Sequence, residues 1–373
     1  MKIDRNRMTR EEKTQLELHS LYQKYGYSRF KMGKFEDYDL YVRNRDFIAQ
    51  ESIITFSDRS GKLLALKPDL TLSIVKNYRY QPGITQKVYY SENIYRASKV
   101  DGSYRELTQT GLECMGDVGL YDTFEVTMMA LKSLSAISSD YVLEISHMGV
   151  LADLLSNLEE GLQARLLKLI GEKNSHDLER VCQEEGVALE LVEALKTVVN
   201  TYGDYRKVLK KFSTLPLGER GKEALQQLSD VVGLLSSYRM TSKVNLDFSI
   251  VNDLTYYSGI LFKGYIAGIP QAVLSGGRYD TLMGYMGKKG GAIGFGVYLD
   301  ELDRLDPGSR DYDVDVLFQY TLEDDLRLMY KVIRELIHGG QTVLAEKEIP
   351  EKLKYRKRIR LEGNEVITVE EYD

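Results

Sequence analysis

The chain has 373 residues, 43% of them apolar and 28% charged, which is the balance of a soluble globular protein with room for one sizeable core and one or two smaller units. Its formal net charge of −6 disfavours a broad nucleic-acid-binding surface, although a local basic patch stays open. Cys114 and Cys182 form no CxxC pair and read as buried thiols of a reducing compartment, and His19, His147, His176 and His338 show no metal-ligand spacing. No apolar run reaches the length of a membrane span and the N-terminus has no signal-peptide core, so a cytoplasmic location, with no cofactor or metal, is expected.

In chain order, Thr9-Arg-Glu-Glu12 is a capping-box pattern. Leu16, Leu18, Leu21, Tyr22 and Tyr25 then continue as an amphipathic helix that Gly26 stops. Tyr27 to Ile48 reads as an extended segment running into a helical edge. Ser52 to Leu66 reads as a hairpin turning at Asp58-Arg-Ser-Gly61. Pro68-Asp-Leu-Thr71 opens a helix, with proline early and an acid near the positive end of the dipole.

Val88 to Arg96 and Ser103 to Gly116 are two strands joined through Asp101-Gly102, a strong turn dipeptide, and so pair antiparallel. Tyr121 to Leu134 is helical and Tyr141 to Ile145 a strand. From Gly149 to Ser237 leucines recur at helical spacing and strand formers are few. Strands return at Lys243–Val251 and Tyr256–Ile266, followed by Ser275-Gly-Gly-Arg-Tyr-Asp280 and by the glycine-rich stretch Gly290–Leu302, a strand or turn feeding a helix. A linker around Asp306-Pro-Gly-Ser309 precedes a last unit of strand, helix and charged strands.

The second strand of the central hairpin carries Gln109 and Glu113, four residues apart and therefore on one face. Two polar groups on a strand otherwise rich in Leu, Cys and Met need partners unless they face water. Asp69 and Thr71 are candidates, although both serve equally well as helix caps.

Lys67-Pro-Asp-Leu-Thr71, Tyr95-Arg96 with Ser103–Glu113, Leu254-Thr-Tyr-Tyr257, Ser275–Asp280 and Ala292-Ile-Gly-Phe-Gly-Val-Tyr-Leu299 resemble, in this order, the motifs of the histidyl-tRNA synthetase family. The resemblance covers Met8 to Leu305. It implies an α+β fold of the class II aminoacyl-tRNA synthetase kind: an antiparallel sheet flanked by helices, usually dimeric. The domains expected are a core over 1–148 and 238–305, a helical insertion over 149–237, and a truncated anticodon-domain-like α/β unit over 311–373.

Residue by residue, the resemblance implies a histidine pocket. Asp69 and Thr71 match the pair that holds the α-amino group, and Gln109 the glutamine at the backbone end of the amino acid. Glu113 and Tyr257 match the readers of the imidazole, with Tyr256 and Arg278 shaping the pocket. The chemistry suits this, since an ammonium group wants a carboxylate and an imidazole wants an acceptor and an adaptable hydroxyl.

Adenylate formation needs positioned cations at the α-phosphate, and here the sequence departs from the family. Arg96 matches a motif arginine, and with Arg278 is a candidate vestigial nucleotide contact. Ser98, Asn252 and Glu301 stand where the synthetases carry an acid and two arginines. Gly33 stands in place of a first-motif proline. The basic run Lys352–Arg360 reads as a solvated strand edge.

A retained histidine pocket, altered activation residues and a shortened C-terminal unit resemble the regulatory subunits of ATP phosphoribosyltransferase, a family of synthetase paralogues. That resemblance implies no enzyme activity of its own and no tRNA. It also implies a hetero-octameric assembly with the short-form catalytic subunit of histidine biosynthesis, and feedback inhibition by bound L-histidine. A working histidyl-tRNA synthetase and a free-standing histidine sensor with another partner are the alternatives.

Overall fold

The computed structural model describes residues 8–47, 53–97, 102–251, 257–305 and 312–372. The chain divides into two compact units, Met1–Leu305 and Asp306–Asp373. The first begins with α1 (Arg10–Lys24). Thr9 Oγ1 accepts from the Glu12 N–H at 3.1 Å while Glu12 Oε2 accepts from the Thr9 N–H at 2.8 Å, closing the capping box. Gly26, at φ +81°, takes the left-handed turn that ends the helix. The face that α1 buries runs through Thr14, Leu18 and Tyr22, and Leu16 lies outside it, 45% exposed.

There follow β1 (Ser28–Arg29), β2 (Phe35–Asp37), α2 (Tyr38–Arg43), β3 (Thr55–Ser57), β4 (Leu63–Leu66) and α3 (Thr71–Asn77). Strands β2, β4 and β3 form a small antiparallel sheet of their own, with β3 and β4 as the hairpin around Asp58–Gly61. The long pair β5 (Thr85–Ala97) and β6 (Tyr104–Gly116) is antiparallel in unbroken register, from Thr85 opposite Gly116 to Ala97 opposite Tyr104. Ser98 to Asp101, which carry half of the expected turn, lie outside the described residues. Then come α4 (Leu120–Ile137) and β7 (Tyr141–His147).

Between β7 and the returning strands the chain is helical: α5 (Met148–Leu155), α6 (Glu160–Gly171), α7 (Ser175–Glu184), α8 (Leu189–Asn200), α9 (Tyr205–Phe212) and α10 (Glu219–Ser237). One two-residue strand interrupts them. This is β8 (Tyr202–Gly203), which pairs at the edge of the main sheet with β9 (Val244–Asp247). The strand expected over Lys243–Val251 is therefore short. Asp247 Oδ1 accepts from the Ser249 N–H at 2.8 Å, a local turn that competes with the ladder. The unit closes with β10 (Ile260–Ile266), β11 (Leu274–Arg278), α11 (Asp280–Tyr285) and β12 (Gly291–Tyr298). The segment after β12 is a 3₁₀ helix, Asp300–Leu305, rather than an α-helix.

The main sheet has nine strands in the order β1-β5-β6-β12-β11-β10-β7-β9-β8, antiparallel except for the β1–β5 and β7–β9 pairs. Because side chains alternate across a strand, its two faces head two cores. Leu112 and Cys114 of β6 join the helices on one side, with Leu18, Tyr22 and Met129. Met115 of β6, with Val88, Tyr90 and Ile94 of β5, faces the other side, against Leu72, Ile74 and Val75 of α3 and Leu282 of α11. Both cysteines are free and buried, and burial pushes the Cys114 thiol up to about 12, so it is inert. No helix among the described residues is long and apolar enough to cross a membrane.

The second unit is a four-stranded sheet in the order β14-β13-β15-β16, from β13 (Val314–Gln319), β14 (Val343–Glu346), β15 (Tyr355–Glu362) and β16 (Glu365–Glu371). One helix, α12 (Leu326–His338), packs Leu328, Val332, Ile333 and Leu336 onto Val316, Phe318, Ile359 and Leu361. The basic run is not a strand edge. Strand β15 lies inside the sheet and its cations meet the acids of β16: Lys357 stands opposite Glu371, and Arg358 Nη2 lies 2.5 Å from Glu370 Oε1. Opposite charges across a strand pair account for the run within this sheet.

Candidate functional site

The site lies on the α3 side of the main sheet. Gln109 and Glu113 project there from β6, as their four-residue spacing requires. What makes room for them is the neighbouring strand. Gly294 and Gly296 of β12 stand opposite Glu113 and Gly111. A Cβ at Gly294 would overlap Glu113 Oε2, and one at Gly296 would overlap Gln109 Nε2. The two polar side chains thus lie flat over a floor of bare backbone. The Tyr257 ring lies over Gly277 of β11 in the same manner.

Glu113 is the centre of the arrangement, with 2% of its surface exposed. Tyr279 donates its hydroxyl hydrogen to Oε2 at 2.7 Å, and Thr71 Oγ1 donates to Oε1 at 3.2 Å. Burial nevertheless dominates and raises the carboxyl pKa to about 8; the two hydroxyls pull it back and the nearby Asp69 adds to the rise. Glu113 is therefore a largely protonated acid at neutral pH, and a cationic or N–H-rich ligand beside it would favour its ionisation. Around it, burial lifts the hydroxyl pKa values of Tyr90, Tyr257 and Tyr298 well above or above the ordinary phenol value, so these groups serve as hydrogen-bonding hydroxyls.

Asp69 meets one of its two expected roles, that of helix cap. Its Oδ1 accepts from the Leu72 N–H at 2.9 Å, capping the start of α3, and its charge still reaches Glu113 and Tyr257. Gln109 Nε2 lies 3.4 Å from Tyr90 Oη, which in turn approaches the Phe295 carbonyl at 3.4 Å. Arg96 shares this face of β5, and its Nε donates to the Pro68 carbonyl at 2.7 Å. Lys67 is fully buried with Nζ 3.5 Å from Glu92 Oε2, and desolvation lowers its pKa.

The structure therefore gathers Asp69, Thr71, Gln109, Glu113 and Tyr257 on one side of the sheet, with Arg96 at the end. Arg278 is not among them. It lies on the opposite face of β11, where Nε pairs with Asp280 Oδ2 at 2.8 Å and Nη2 donates to the Val118 carbonyl at 3.2 Å. Parity along the strand separates it from its neighbour Tyr279, which does reach Glu113. Tyr256, Ser98 and Asn252 lie outside the described residues. Glu301 sits in the 3₁₀ helix after β12. Sequence reasoning did not single out Tyr279, Tyr90, Tyr298 or the two floor glycines. The signal for the glycines was present in their period of two, Gly294 and Gly296, at the spacing of a strand face.

Comparison with known proteins places the chain among relatives. The family model described as histidyl-tRNA synthetase matches residues 2–302. The chain is similar to a protein named ATP phosphoribosyltransferase regulatory subunit from Oceanobacillus iheyensis, 28% identical over 351 residues that cover 91% of this chain and 85% of the relative. A protein of the same name from Clostridium botulinum strain Langeland is 29% identical over 341 residues, covering 86% and 78%. Among solved structures, an ATP phosphoribosyltransferase regulatory subunit/histidyl-tRNA synthetase from Bacillus halodurans superposes with a TM-score of 0.76 at 23% identity, covering 90% of this chain and 88% of that one. A chain of an ATP phosphoribosyl transferase (HisG:HisZ) complex from Thermotoga maritima gives 0.62 at 23% identity, covering 78% and 97%. Histidyl-tRNA synthetase from Nostoc gives 0.74 at 20% identity, covering 94% and 87%.

Proposed function

Because this chain belongs to the histidyl-tRNA synthetase family, we propose that its pocket binds L-histidine and that it acts as a non-catalytic regulatory subunit of ATP phosphoribosyltransferase. The fold is the class II synthetase one, which hosts more than one function, so the reading rests on the site. The observation that carries it is the buried Glu113, held between the hydroxyls of Thr71 and Tyr279 over a glycine floor. A carboxyl of raised pKa in such a cradle accepts from an imidazole N–H, and Tyr257 adds a third hydroxyl to the pocket. Asp69 and Thr71 supply the acceptors for the ammonium group and Gln109 the amide for the carboxylate end. A ligand without these groups leaves buried polar atoms unpaired, which is the strongest source of discrimination.

The names of the relatives support the regulatory role, and the substitutions support the loss of synthetase chemistry. Asn252 and Glu301 stand in place of two arginines, so one of the cations needed to neutralise a triphosphate is lost and one is reversed in sign, and Ser98 replaces an activation-site acid. The partner is the short-form catalytic subunit, which gains activity from this chain and loses it when histidine occupies the pocket. Titration calorimetry with L-histidine tests the pocket: one site per chain is expected, and Glu113→Ala weakens binding by roughly 1–3 kcal/mol, the cost of leaving buried partners unsatisfied. No heat and no thermal shift at saturating histidine overturns the reading. An ATP–pyrophosphate exchange assay with histidine, expected to show no turnover, separates it from a working synthetase.

A further inference from the structure

On the reverse of the sheet, away from Glu113, lies a cavity of about 220 Å³ walled by Leu120, His147, Gln227, Val231, Ile260 and Arg278. It spans two layers. Arg278, His147 and Ile260 belong to the strands β11, β7 and β10; Leu120 opens α4, and Gln227 and Val231 lie on α10. Three apolar side chains line it, and the polar groups beside them are oriented. The Gly149 N–H donates to His147 Nδ1 at 3.1 Å, which leaves the ring proton on Nε2, 3.3 Å from Gln227 Oε1. His147 is 4% exposed, and burial together with the Arg278 charge holds its pKa down at about 4, so the ring is neutral. With its oxygen spent on His147, the Gln227 amide has its NH₂ group to offer. Arg278 is anchored through Nε to Asp280 and through Nη2 to the Val118 carbonyl; among the described residues no further partner engages its other N–H groups.

We propose that this cavity is a binding site for a small carboxylate with a short apolar body. The carboxylate lies against Arg278 and the Gln227 amide, and the body against Leu120, Val231 and Ile260. A planar guanidinium fork matches a carboxylate better than a point charge does. The volume is below the roughly 300–1,000 Å³ of sites for drug-sized ligands, which excludes a nucleotide. The site is independent of the histidine pocket in its contacts, yet it backs directly onto it: Arg278 and Tyr279 are neighbours on opposite faces.

The test uses the full chain with isovalerate as the probe and isovaleramide as its uncharged match, followed by ligand-observed NMR and calorimetry. Saturable isovalerate binding is expected, with the amide at least about tenfold weaker because the charge-assisted hydrogen bonds are lost. Val231→Phe fills the cavity and abolishes binding. Gln227→Leu, on an exposed position of α10, removes the amide and weakens binding without filling the cavity, and so keeps the test valid if the larger side chain disturbs folding. The proposal is overturned if isovalerate shows no saturable binding, if the amide binds equally well, or if Gln227→Leu binds as the wild type does. Histidine titrations of the same samples report on the other face and stand or fall separately.

Discussion

Glu113 binds a proton in the folded chain at a pH where the unfolded chain has released it. Its carboxyl moves from an ordinary 4.5 to about 8, so between these values the folded state holds more protons and stability falls as pH rises. His147 works in the opposite sense. Its pKa drops from 6.5 to about 4, so it adds stability as pH rises through that lower window and nothing further above 6.5. Between pH 6.5 and 8 the slope belongs to Glu113 and amounts to about 1.4 kcal/mol per unit at most. Glu113→Gln keeps a group that bonds both hydroxyls but cannot ionise. Urea unfolding at a series of pH values is expected to show that slope in the wild type and its loss in the variant; equal slopes in both would place the titration elsewhere. At this scale the chemistry of the site was legible, because a carboxylate, an amide and a hydroxyl announce themselves by type. The face of a strand was not always so. Tyr279 and Arg278 differ by one position in a glycine-rich stretch without apolar alternation, and the sequence offered no parity to tell which of them turns toward Glu113.

The elements that hold the site are the paired strands β6 and β12, and glycine is what lets one lie under the side chains of the other. Gly296 tests this cleanly. The nearest atoms to an added Cβ all belong to the Gln109 side chain, a flexible group that can be pushed aside, whereas at Gly294 the Leu112 carbonyl also stands in the way. Gly296→Ala is therefore expected to fold, with a melting temperature near that of the wild type, and to bind histidine about tenfold more weakly because Gln109 is displaced. Calorimetry beside a thermal melt separates the two effects; unchanged affinity would remove Gln109 from the site. Local signals gave the elements well. The capping box of α1, the hairpin at Asp58–Gly61 and the β5–β6 pair follow from contacts within a few residues or from one turn. Sheet order does not. Nothing in Lys352–Arg360 says that β16 will cover it, and the run reads as an edge until Glu370 and Glu371 are placed across from it. Likewise Tyr202-Gly203 is too short to carry a period of two, and becomes a strand because β9 is beside it.

At the scale of the whole molecule the proposed role is control of chemistry performed on another chain. Histidine shifts such an equilibrium only by its differential affinity for the active and inactive arrangements, so anything that lowers occupancy without altering the partner moves the inhibition curve and leaves the uninhibited rate alone. Tyr257→Phe removes one hydroxyl from the pocket while the ring keeps its place over Gly277. A lost hydrogen bond to a ligand costs about 0.5–1.5 kcal/mol, and Glu113→Gln, at a charge-assisted contact, costs more. In complexes rebuilt with the short-form catalytic subunit, both variants are expected to assemble and to match the wild-type phosphoribosyltransferase rate without histidine. The half-inhibiting histidine concentration then rises about two- to tenfold for Tyr257→Phe and further for Glu113→Gln, in step with the binding constants measured on each variant. Reciprocity sharpens the comparison, because a coupling free energy acts equally from both ends: the catalytic subunit changes histidine affinity by the factor by which histidine changes the affinity between the chains. Variants that bind histidine poorly and yet give an unchanged inhibition curve would place the sensing site elsewhere.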